Sequence, residues 1–541
     1  MMMNGIRMSR MLQDCGLLAG MALCAAAAQA GVVAVTTLDD LIASDGQCSL
    51  REAVLKLNGS GGDDCPIVGA VSPPRIELSA GTYQLSIPGT HEDQGLTGDL
   101  DISVPIDIRG LGPDLSIIDG DGLDRTFDVH SGGVLRLFNL TVQNGRAPNV
   151  APGGTQRDAS GGCVRAADDS ELDFNVVVME WCVAGNGLDV ASGTGGRGGQ
   201  GGAVFGGEQF SWNGRFTGHS IRLEGNFAGQ GGFSLDGRGG AGGDGGGISL
   251  LGGVAEISDS EVRGNATGEC GTGTMGSCIW GDGGGLSIQF ADAATIDRST
   301  ISHNTAGAGG GLRFTGGQSV IVIGTTITYN VAGSGGGGMI TSNTTPVLMA
   351  NSTIANNTGA GVVVINAGIV GISITVAQNT AFQRAGISVS GAFNDPFAHL
   401  FNTISAGNVP NDCEGNVVSG GFNLTGQGTG CPTDGPGDQA VADAGLGPLQ
   451  NNGGGTQTIQ PLPGSPAIDN GSTDLDPIAA GLLQDVSSVM MALLQDSDQR
   501  GHARRYDALS LPAPPGDRSD SGAVEVGAPP IGHLFADGFE S

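Results

Sequence analysis

The first candidates for chemistry are aspartates between residues 99 and 128, because two arginines lie among them. The group comprises Asp99, Asp101, Asp107, Asp119, Asp121, Asp124 and Asp128, with Arg109 and Arg125 interleaved. Glycoside hydrolysis needs two carboxylates at a set separation, and calcium binding needs clustered oxygen ligands. Asp99, Asp101, Asp119 and Asp121 are therefore candidate calcium ligands. The competing interpretation is that these carboxylates form turns and cap strand ends.

The other acidic residues and motifs do not indicate a particular chemistry. Asp168, Asp169, Glu171 and Asp173 form a second acidic group, which the sequence favours as a solvated edge. Neither G-x-S-x-G, H-E-x-x-H nor a Gly-rich phosphate loop with its lysine occurs. Asp259 and Asp297 recur with a repeat described below, which favours a structural role. No catalytic residue is assigned, no cofactor other than calcium is indicated, and a non-enzymatic function is favoured.

A repeated spacing indicates the elements that must position these residues. A glycine that closes a Gly-rich turn is followed by an asparagine 18 or 19 residues later. Such an offset is typical of one structural unit stacked on copies of itself. We expect the asparagines to form a ladder of stacked amides. The pairs are Gly247/Asn265, Gly285/Asn304, Gly311/Asn330, Gly338/Asn356 and Gly361/Asn379.

The unit has the pattern of three short strands. Ile321, Ile323, Thr325 and Ile327 are two residues apart, which is the period of a strand. From Gly285 onward the closing glycines lie 26, 27, 23 and 25 residues apart, enough for three strands and their bends. Coils of this kind stack in parallel with a rise of about 4.8 Å. The sequence predicts an all-β fold, a right-handed parallel β-helix with closing elements at both ends.

Composition limits the partners. The chain has 101 glycines in 541 residues without the G-x-y period of collagen. Its net charge of −31 makes nucleic acid and anionic membranes unlikely partners by electrostatics, whereas cations and neutral sugars stay compatible. The oligomeric state is left open. Extracellular polysaccharide or surface glycan is the expected ligand class.

Residues 1–30 have the pattern of a cleaved signal peptide. Arg7 and Arg10 precede an apolar run that ends at Ala28, and Ala28-Gln29-Ala30 is an A-x-A cleavage site. A short membrane anchor is the alternative, but the run is shorter than the about 18 residues that a span needs. The sequence predicts a secreted or cell-surface protein with no transmembrane segment in the mature chain.

The cysteines agree with export. Cleavage leaves eight, which fall into neighbouring pairs, and an even count in an exported chain favours disulfides over a metal–thiolate site. The spacing does not fix the connectivity. The neighbouring pairs are Cys48 with Cys65, Cys163 with Cys182, Cys270 with Cys278, and Cys413 with Cys431.

The amino end of the mature chain predicts a cap for the stack. Val32 to Thr37 has the pattern of a strand, and Ser49 to Asn58 that of a short helix in which Ser49 and Glu52 form a capping box. Leu50, Ala53, Val54 and Leu57 give this helix one apolar stripe. Such a helix is expected to cover the otherwise open first coil.

Several segments resemble known modules. CSLREAV (48–54), GDLDI (98–102), IDG (118–120) and DRTFDV (124–129) resemble the start of a family of exported bacterial β-helix proteins named for its CSLREA segment. GFNL (421–424), the run 446–471, DQRG (498–501) and SGAVE (521–525) resemble the C-terminal module called choice-of-anchor Q. The resemblance implies an exported β-helix whose tail is attached to a surface or secreted. This chain departs from it by an insertion at 472–497, for which a small docked helix is expected.

These observations predict five regions and leave three functions open. The leading hypothesis is an adhesive or structural surface protein that binds glycans through its lateral face, and the alternative is a polysaccharide lyase or glycoside hydrolase. The active site of such an enzyme is expected among the insertions or beside the aspartates at 99–128. The third is a calcium-dependent passive scaffold, for which the G-G-x-G-x-D repeats are missing. The regions are 1–30 (signal peptide), 31–74 (strand and capping helix), 75–410 (β-helix with insertions at 187–200, 227–244 and 266–282), 411–526 (closing module) and 527–541 (tail with a sorting tag).

Overall fold

The structure, a computed structural model, is built from parallel strands stacked coil on coil. It describes residues 31–207, 212–276, 278–383, 386–393, 395–426, 428, 430–474, 496–506 and 516–531. The predicted signal peptide, most of the predicted helix at 472–497 and the last residues of the tail lie outside these ranges. Strands are numbered in chain order, and each regular coil contributes one strand to each of three faces.

The first face pairs strands from β4 to β35. Its members are β4 (Leu100–Ile102), β7 (Phe127–Val129), β9 (Val164–Ala166), β12 (Val204–Gly206), β16 (Ile248–Leu251), β19 (Leu286–Gln289), β23 (Leu312–Thr315), β26 (Val331–Ser342), β29 (Thr358–Ile365), β32 (Ile387–Ser390) and β35 (Cys413–Glu414), with β22 (Thr305–Ala306) beside β26.

The second face pairs strands from β1 to β36. They are β1 (Val32–Ala34), β2 (Arg75–Glu77), β5 (Pro105–Arg109), β8 (Val134–Gln143), β10 (Glu171–Glu180), β13 (Arg215–His219), β17 (Val254–Ser258), β20 (Ala293–Asp297), β24 (Val320–Ile323), β27 (Val347–Ala350), β30 (Gly368–Ile372), β33 (Phe397–Phe401) and β36 (Val417–Gly421).

The third face starts with β3 and shares the long strands β8 and β10 with the second. Its other members are β3 (Gly81–Gln84), β6 (Ser116–Asp119), β14 (Arg222–Glu224), β18 (Glu261–Arg263), β21 (Thr300–Ser302), β25 (Thr326–Thr328), β28 (Thr353–Ala355), β31 (Thr375–Ala377), β34 (Ile404–Ala406), β37 (Leu424–Thr425) and β38 (Gln439–Ala440).

A thin aliphatic core fills the space between the faces. In the coil that contains β19, β20 and β21, the side chains of Leu286, Ile296 and Ile301 all point inward and are buried. The next coil places Leu312, Val322 and Ile327 at the same registers, because each strand pairs in parallel with its counterpart. The predicted parallel β-helix is therefore the observed fold, and its strand pairing continues beyond residue 410 to β38.

A buried ladder of asparagine amides stabilises the corner that follows the third face. The Nδ2 of Asn304 donates to Oδ1 of Asn330 at 3.0 Å, and the same Oδ1 accepts the backbone N–H of Asn304. Each amide therefore satisfies buried polar groups of the preceding coil. The ladder runs through Asn226, Asn265, Asn304, Asn330, Asn357, Asn379 and Asn408.

The ladder corrects one predicted member. Asn356 does not take part, and its neighbour Asn357 occupies the position instead. Asn356 has φ 57° and stands at the outer corner, in register with Tyr329 of the preceding coil and Gln378 of the next. The sequence reads Asn-Asn here, so the spacing alone did not distinguish the outward asparagine from the inward one.

The insertions explain much of the glycine content. Their backbones hydrogen-bond between insertions, as in Gly229 N–H to Gly199 C=O at 2.9 Å, and within one insertion, as in Gly243 N–H to Gly229 C=O at 2.9 Å. A Cβ on Gly229 would lie 1.8 Å from the carbonyl oxygen of Gly185, so no larger residue fits. Outside this array, β11 (Val190–Thr194) of one insertion pairs in parallel with β15 (Ser234–Arg238) of the next.

The amino end is capped as the sequence predicts. Helix α1 spans Leu50–Asn58, with Ser49 as its N-cap in a capping box with Glu52 and Gly59 at its C-cap with φ 79°. A buried ion pair joins Arg51 Nε to Asp40 Oδ1 at 2.7 Å, and Arg51 also donates to the carbonyl of Gly98 in the first coils. A 3₁₀ helix spans Gln156–Ala159.

Four disulfides join the cysteines in neighbouring pairs. They are Cys48–Cys65, Cys163–Cys182, Cys270–Cys278 and Cys413–Cys431. The preference for disulfides over a metal–thiolate site is thus confirmed. Disulfides are typical of oxidising, extracellular environments. In the described part of the chain, no helix is long and apolar enough to cross a bilayer.

The C-terminal segment turns back along the outside of the stack. It contains the antiparallel pair β39 (Leu446–Gln450) and β40 (Thr458–Pro461), then packs on the corner between the second and third faces. Asn351 of that corner donates to the carbonyl of Ser497 and accepts from Arg504. The backbone N–H of Glu525 donates to Asp498 at 3.0 Å, which joins the DQRG and SGAVE segments.

The ladder generates the first prediction. Asn357→Gly should lower the free energy of unfolding by about 3 kcal/mol, because it leaves buried backbone groups of two coils without partners. The neighbouring change Asn356→Gly serves as the control and should have an effect of less than about 0.5 kcal/mol, since glycine accepts a left-handed φ without strain. Urea unfolding monitored by circular dichroism measures both. Equal destabilisation by the two changes would contradict the assigned register.

Candidate functional site

A groove on the lateral face brings charged and aromatic side chains together. It runs along the outer surface of the third face, with a volume of about 780 Å³, and a smaller cavity of about 280 Å³ continues from it around the corner. Asp259, Arg298, Gly455 and Thr456 border both spaces. The groove is lined by Ser220, Ile221, Asp259, Ser260, Glu261, Arg263, Arg298, Thr300, Ser302, His303, Thr328, Tyr329, Gly455, Thr456 and Gln457.

One wall of the groove comes from the C-terminal segment. Thr326 of β25 donates its hydroxyl to the carbonyl of Gln457 at 2.5 Å, and Thr456 donates to the carbonyl of Gly324 at 3.2 Å. Gln499 is buried behind this loop, where its amide donates to both threonines at 2.9 Å. These contacts fix residues 455–457 against coils that lie more than a hundred positions earlier in the sequence.

The charged centre of the groove is Arg298, which bridges two aspartates. Its Nε and Nη2 donate to the two carboxylate oxygens of Asp259 at 2.8 and 2.7 Å, and Nη1 donates to Asp297. Asp259 and Arg298 occupy the same corner position in successive coils, with φ 51° and 42°. His219 of the preceding coil approaches Asp259, with 3.5 Å between Nδ1 and Oδ2.

This arrangement changes the acidity of Asp297. Burial raises the pKa of its carboxyl to about 6, although Arg298 lowers it, and the neighbouring charge of Asp259 adds to the rise. The hydrogen bond to Asp259 raises the pKa of the Arg298 guanidinium, so Arg298 stays charged. A carboxyl with a raised pKa beside a second carboxyl group that is held by an arginine is a combination suited to proton transfer.

The outer strands of the groove carry paired charges. Arg263 contacts Glu224 at 3.3 Å and Glu261 at 3.6 Å, and all three side chains are partly exposed. In the next two coils, Ser302 and then Thr328 take the register of Arg263, through the pairings of β18, β21 and β25. The surface can therefore donate and accept hydrogen bonds along several coils in a row.

The predicted calcium ligands are not brought together. Asp101 lies on β4 of the first face and Asp99 directly precedes that strand, whereas Asp119 ends β6 of the third face and Asp121 is exposed in the turn after it. Asp119 accepts from the side-chain amides of Gln143 and Asn144 at 2.6 and 3.0 Å. These interactions are those of turn-forming carboxylates.

The buried aspartates near the first coils pair with basic side chains of the protein. Arg125 contacts Asp99 at 3.1 Å, His130 contacts Asp101 at 2.6 Å, and Arg165 donates to Asp128 through two nitrogens. Burial raises the pKa of Asp99 and Asp101. Arg165 outweighs burial at Asp128 and lowers the pKa of that carboxyl.

Asp93, Asp101, Asp128 and His130 place potential ligand atoms within 4.8 Å of one another. This set does not fit a calcium site, because Arg165 already occupies both oxygens of Asp128. The second acidic group also has a cation nearby: Arg136 contacts Glu171 at 3.8 Å and Asp173 at 4.0 Å.

Sequence reasoning missed this groove. The recurrence of Asp259 and Asp297 along the sequence favours a structural role for them, and the sequence favours the insertions as the place for a site. The insertions follow the ladder asparagines, whereas the groove lies on the strands that precede them. One signal was present: the Asp-Arg pair at 297–298 sits where neighbouring coils have Gly324 or Asn351.

Comparison with known proteins supports the fold. Residues 244–403 match a family model described as the right handed beta helix region. The handedness of the stack is therefore that of a right-handed parallel β-helix. No curated protein matches the chain.

Two solved structures also resemble the chain. One is a PL6 family alginate lyase, AlyGC, with a TM-score of 0.29 and 12% identity over 72% of this chain and 52% of the enzyme's chain. The other is an arginine-to-alanine mutant of AlyGC, with a TM-score of 0.29 and 13% identity over 75% of this chain and 55% of that chain. The chain thus spans about half the length of these structures.

The acidity of Asp297 generates the second prediction. Its carboxyl holds a proton more tightly in the folded protein, so its stabilising contribution is full below pH 3.8 and is lost as the pH rises through about 6. Relative to Asp297→Asn, the wild-type free energy of unfolding should fall by at most about 3 kcal/mol between pH 4 and pH 7.

Urea unfolding at a series of pH values measures this difference. Asp292→Asn, at an exposed aspartate in the same coil, controls for the loss of one negative charge and should run parallel to the wild type. Parallel curves for wild type and Asp297→Asn would show that Asp297 has no raised pKa.

Proposed function

We propose that this protein is an exported, cell-surface or secreted β-helix that binds extracellular polysaccharide through its lateral groove. The supporting observation is the groove itself, a long trough lined by stacked polar, charged and aromatic side chains. A trough that follows the stack axis suits a linear polymer better than a compact metabolite, because equivalent side chains recur once per coil. An adhesive or structural role would follow from such binding.

Export is proposed on two grounds. The four disulfides favour an oxidising compartment, and residues 1–30 have the pattern of a cleaved signal peptide. The segments that resemble the CSLREA and choice-of-anchor Q modules agree with a surface-attached or secreted protein. On this proposal the C-terminal segment has two roles, since it packs on the stack and also forms a wall of the groove.

Binding is tested on residues 31–541 with immobilised plant, bacterial and algal polysaccharides. Arg263→Ala should weaken binding about tenfold, since it removes a donor from the groove and leaves Glu224 and Glu261 without their shared cation. Arg215→Ala is the matched control, because Arg215 is equally exposed and pairs with Glu256 but lies on the second face. Failure of the wild-type protein to bind any polysaccharide would overturn the proposal.

A second candidate function is cleavage of the bound polysaccharide. The specific observation is the pair Asp259 and Asp297, in which one carboxyl has a pKa of about 6 and the other is held by Arg298. In hydrolysis the protonated carboxyl would donate its proton to the glycosidic oxygen as the bond to the anomeric carbon breaks. The other carboxylate would accept a proton from the attacking water.

Cleavage is measured by new reducing ends and, for a lyase, by ultraviolet absorbance of unsaturated products. If the pair is catalytic, Asp297→Asn should lower the rate at least a hundredfold while it leaves binding within about threefold of wild type. The rate should also fall as the pH rises through about 6, because Asp297 loses the proton that it must donate. If the wild-type protein binds a polysaccharide but releases no product, the cleavage hypothesis is wrong and the non-enzymatic binding function is supported.

A further inference from the structure

One outer corner of the stack carries large aromatic side chains where small residues would be expected. The corner directly precedes the asparagine ladder, and its residues form a column because each backbone N–H donates to the next coil. Trp181 donates to Glu224, Gly225 to Arg263, Gly264 to Ser302, and His303 to Thr328. The column runs through Asn144, Trp181, Gly225, Gly264, His303, Tyr329, Asn356, Gln378 and Gly407.

All of these residues have a left-handed backbone, which favours glycine and asparagine. Trp181, His303 and Tyr329 have φ values of 58°, 58° and 53°. A left-handed conformation costs a side-chain-bearing residue about 1–2 kcal/mol, and asparagine tolerates it best. Asparagine or glycine would therefore stabilise the fold better than an aromatic residue at these three positions. Such strain is characteristic of functional surfaces.

The aromatic rings are exposed. Trp181 is 55% exposed and Tyr329 is 44% exposed, and His303 and Tyr329 stack with 5.2 Å between ring centroids. Trp181 lies against Gly225 of the next coil, where an added Cβ would be 3.1 Å from its ring. At Gly264 an added Cβ would come no closer than 3.9 Å to another atom, so the floor between Trp181 and His303 is open.

We propose that Trp181, His303 and Tyr329 form a stacking platform for a neutral, β-1,4-linked pyranose chain that lies along the stack axis. This inference rests on the proposed function and names its ligand class. Successive coils rise by about 4.8 Å, which is close to the length of one extended pyranose unit. Each sugar ring of a chain along the stack axis would therefore lie beside one coil. The apolar faces of pyranose rings stack on aromatic rings, while their hydroxyls meet Ser302 and Thr328 beside the column.

The charges beside the platform favour a neutral chain over an acidic one. Arg263 contacts Glu224 and Glu261, Arg222 contacts Glu224 at 3.6 Å, and Arg298 is held by two aspartates. These guanidinium groups therefore have carboxylate partners within the protein. A uronate polymer would also approach a protein with a net charge of −31.

The test compares the wild type with Trp181→Asn and Tyr329→Asn, which remove the rings and suit the left-handed backbone. The probes are cellohexaose, chitohexaose and xylohexaose, with mannuronate hexamer as the acidic probe. Isothermal titration should show at least one neutral hexamer bound, about tenfold weaker binding for each single variant, and no binding of the acidic hexamer. Thermal unfolding of both variants should occur at the wild-type temperature or above it.

Phe290→Asn is the matched control. Phe290 is 54% exposed with φ 56°, like the platform residues, but it lies at the corner after the first face and not on the column that contains Trp181, His303 and Tyr329. The Phe290→Asn variant should bind the hexamers with the same affinity as the wild type. Tryptophan fluorescence gives an independent readout: a stacked sugar should shift the emission of the wild type but not that of Trp181→Asn, which keeps only the buried Trp212 and the exposed Trp280.

The outcomes separate the two proposals. If wild-type protein binds polysaccharide and both platform variants bind it equally well, the platform is wrong and the groove proposal stands. Tighter binding of mannuronate than of every neutral hexamer would overturn the ligand class. If the wild type binds none of the hexamers and no polysaccharide, both proposals fail.

Discussion

The structure depends on one constraint, which is that every coil must offer the next coil the same row of backbone donors and acceptors. Strands meet this requirement along the faces, but corners interrupt it. The buried asparagines restore hydrogen bonding at the corner. Both the backbone N–H and the side-chain amide of each asparagine donate to the side-chain oxygen of the next asparagine. The corner residue before each asparagine must then be left-handed, and this requirement is repeated through the stack. Glycine content, corner residues and the narrow core all follow from stacking.

The groove exists because a second chain segment is added to this regular surface. A flat face of a β-helix forms no groove by itself. The loop at 455–457 adds a wall to this face because it is hydrogen-bonded to Gly324 and Thr326. Gln499 and Arg504 hold the returning segment to corner and strand residues of the stack. The same corner that supports this segment also presents Arg298 and its aspartates, so closure of the stack and formation of the site are structurally linked.

Local sequence patterns predicted most of the scaffold and little of the site. The capping box of α1, the period-two strands and the coil length depend on neighbouring residues, and each is found in the structure. The one-residue error at Asn356 arose because adjacent asparagines are equivalent in sequence and differ only in the direction that they face. The aspartates at 99–128 drew attention by density, yet Arg125, His130 and Arg165 neutralise several of them.

Local sequence patterns are enough to predict the repeat and the stacked parallel strands, because both depend on short-range order repeated along the chain. The pairing of the cysteines and the side chains that share a surface depend on the tertiary structure. Trp181 and Tyr329 are separated by 148 positions in sequence, yet they lie on one column. The reason is that each coil adds the same rise along the stack axis, however many residues it contains. Insertions of different lengths between coils hide that alignment in the sequence, and the return of the C-terminal segment to the groove depends on contacts that no local pattern encodes.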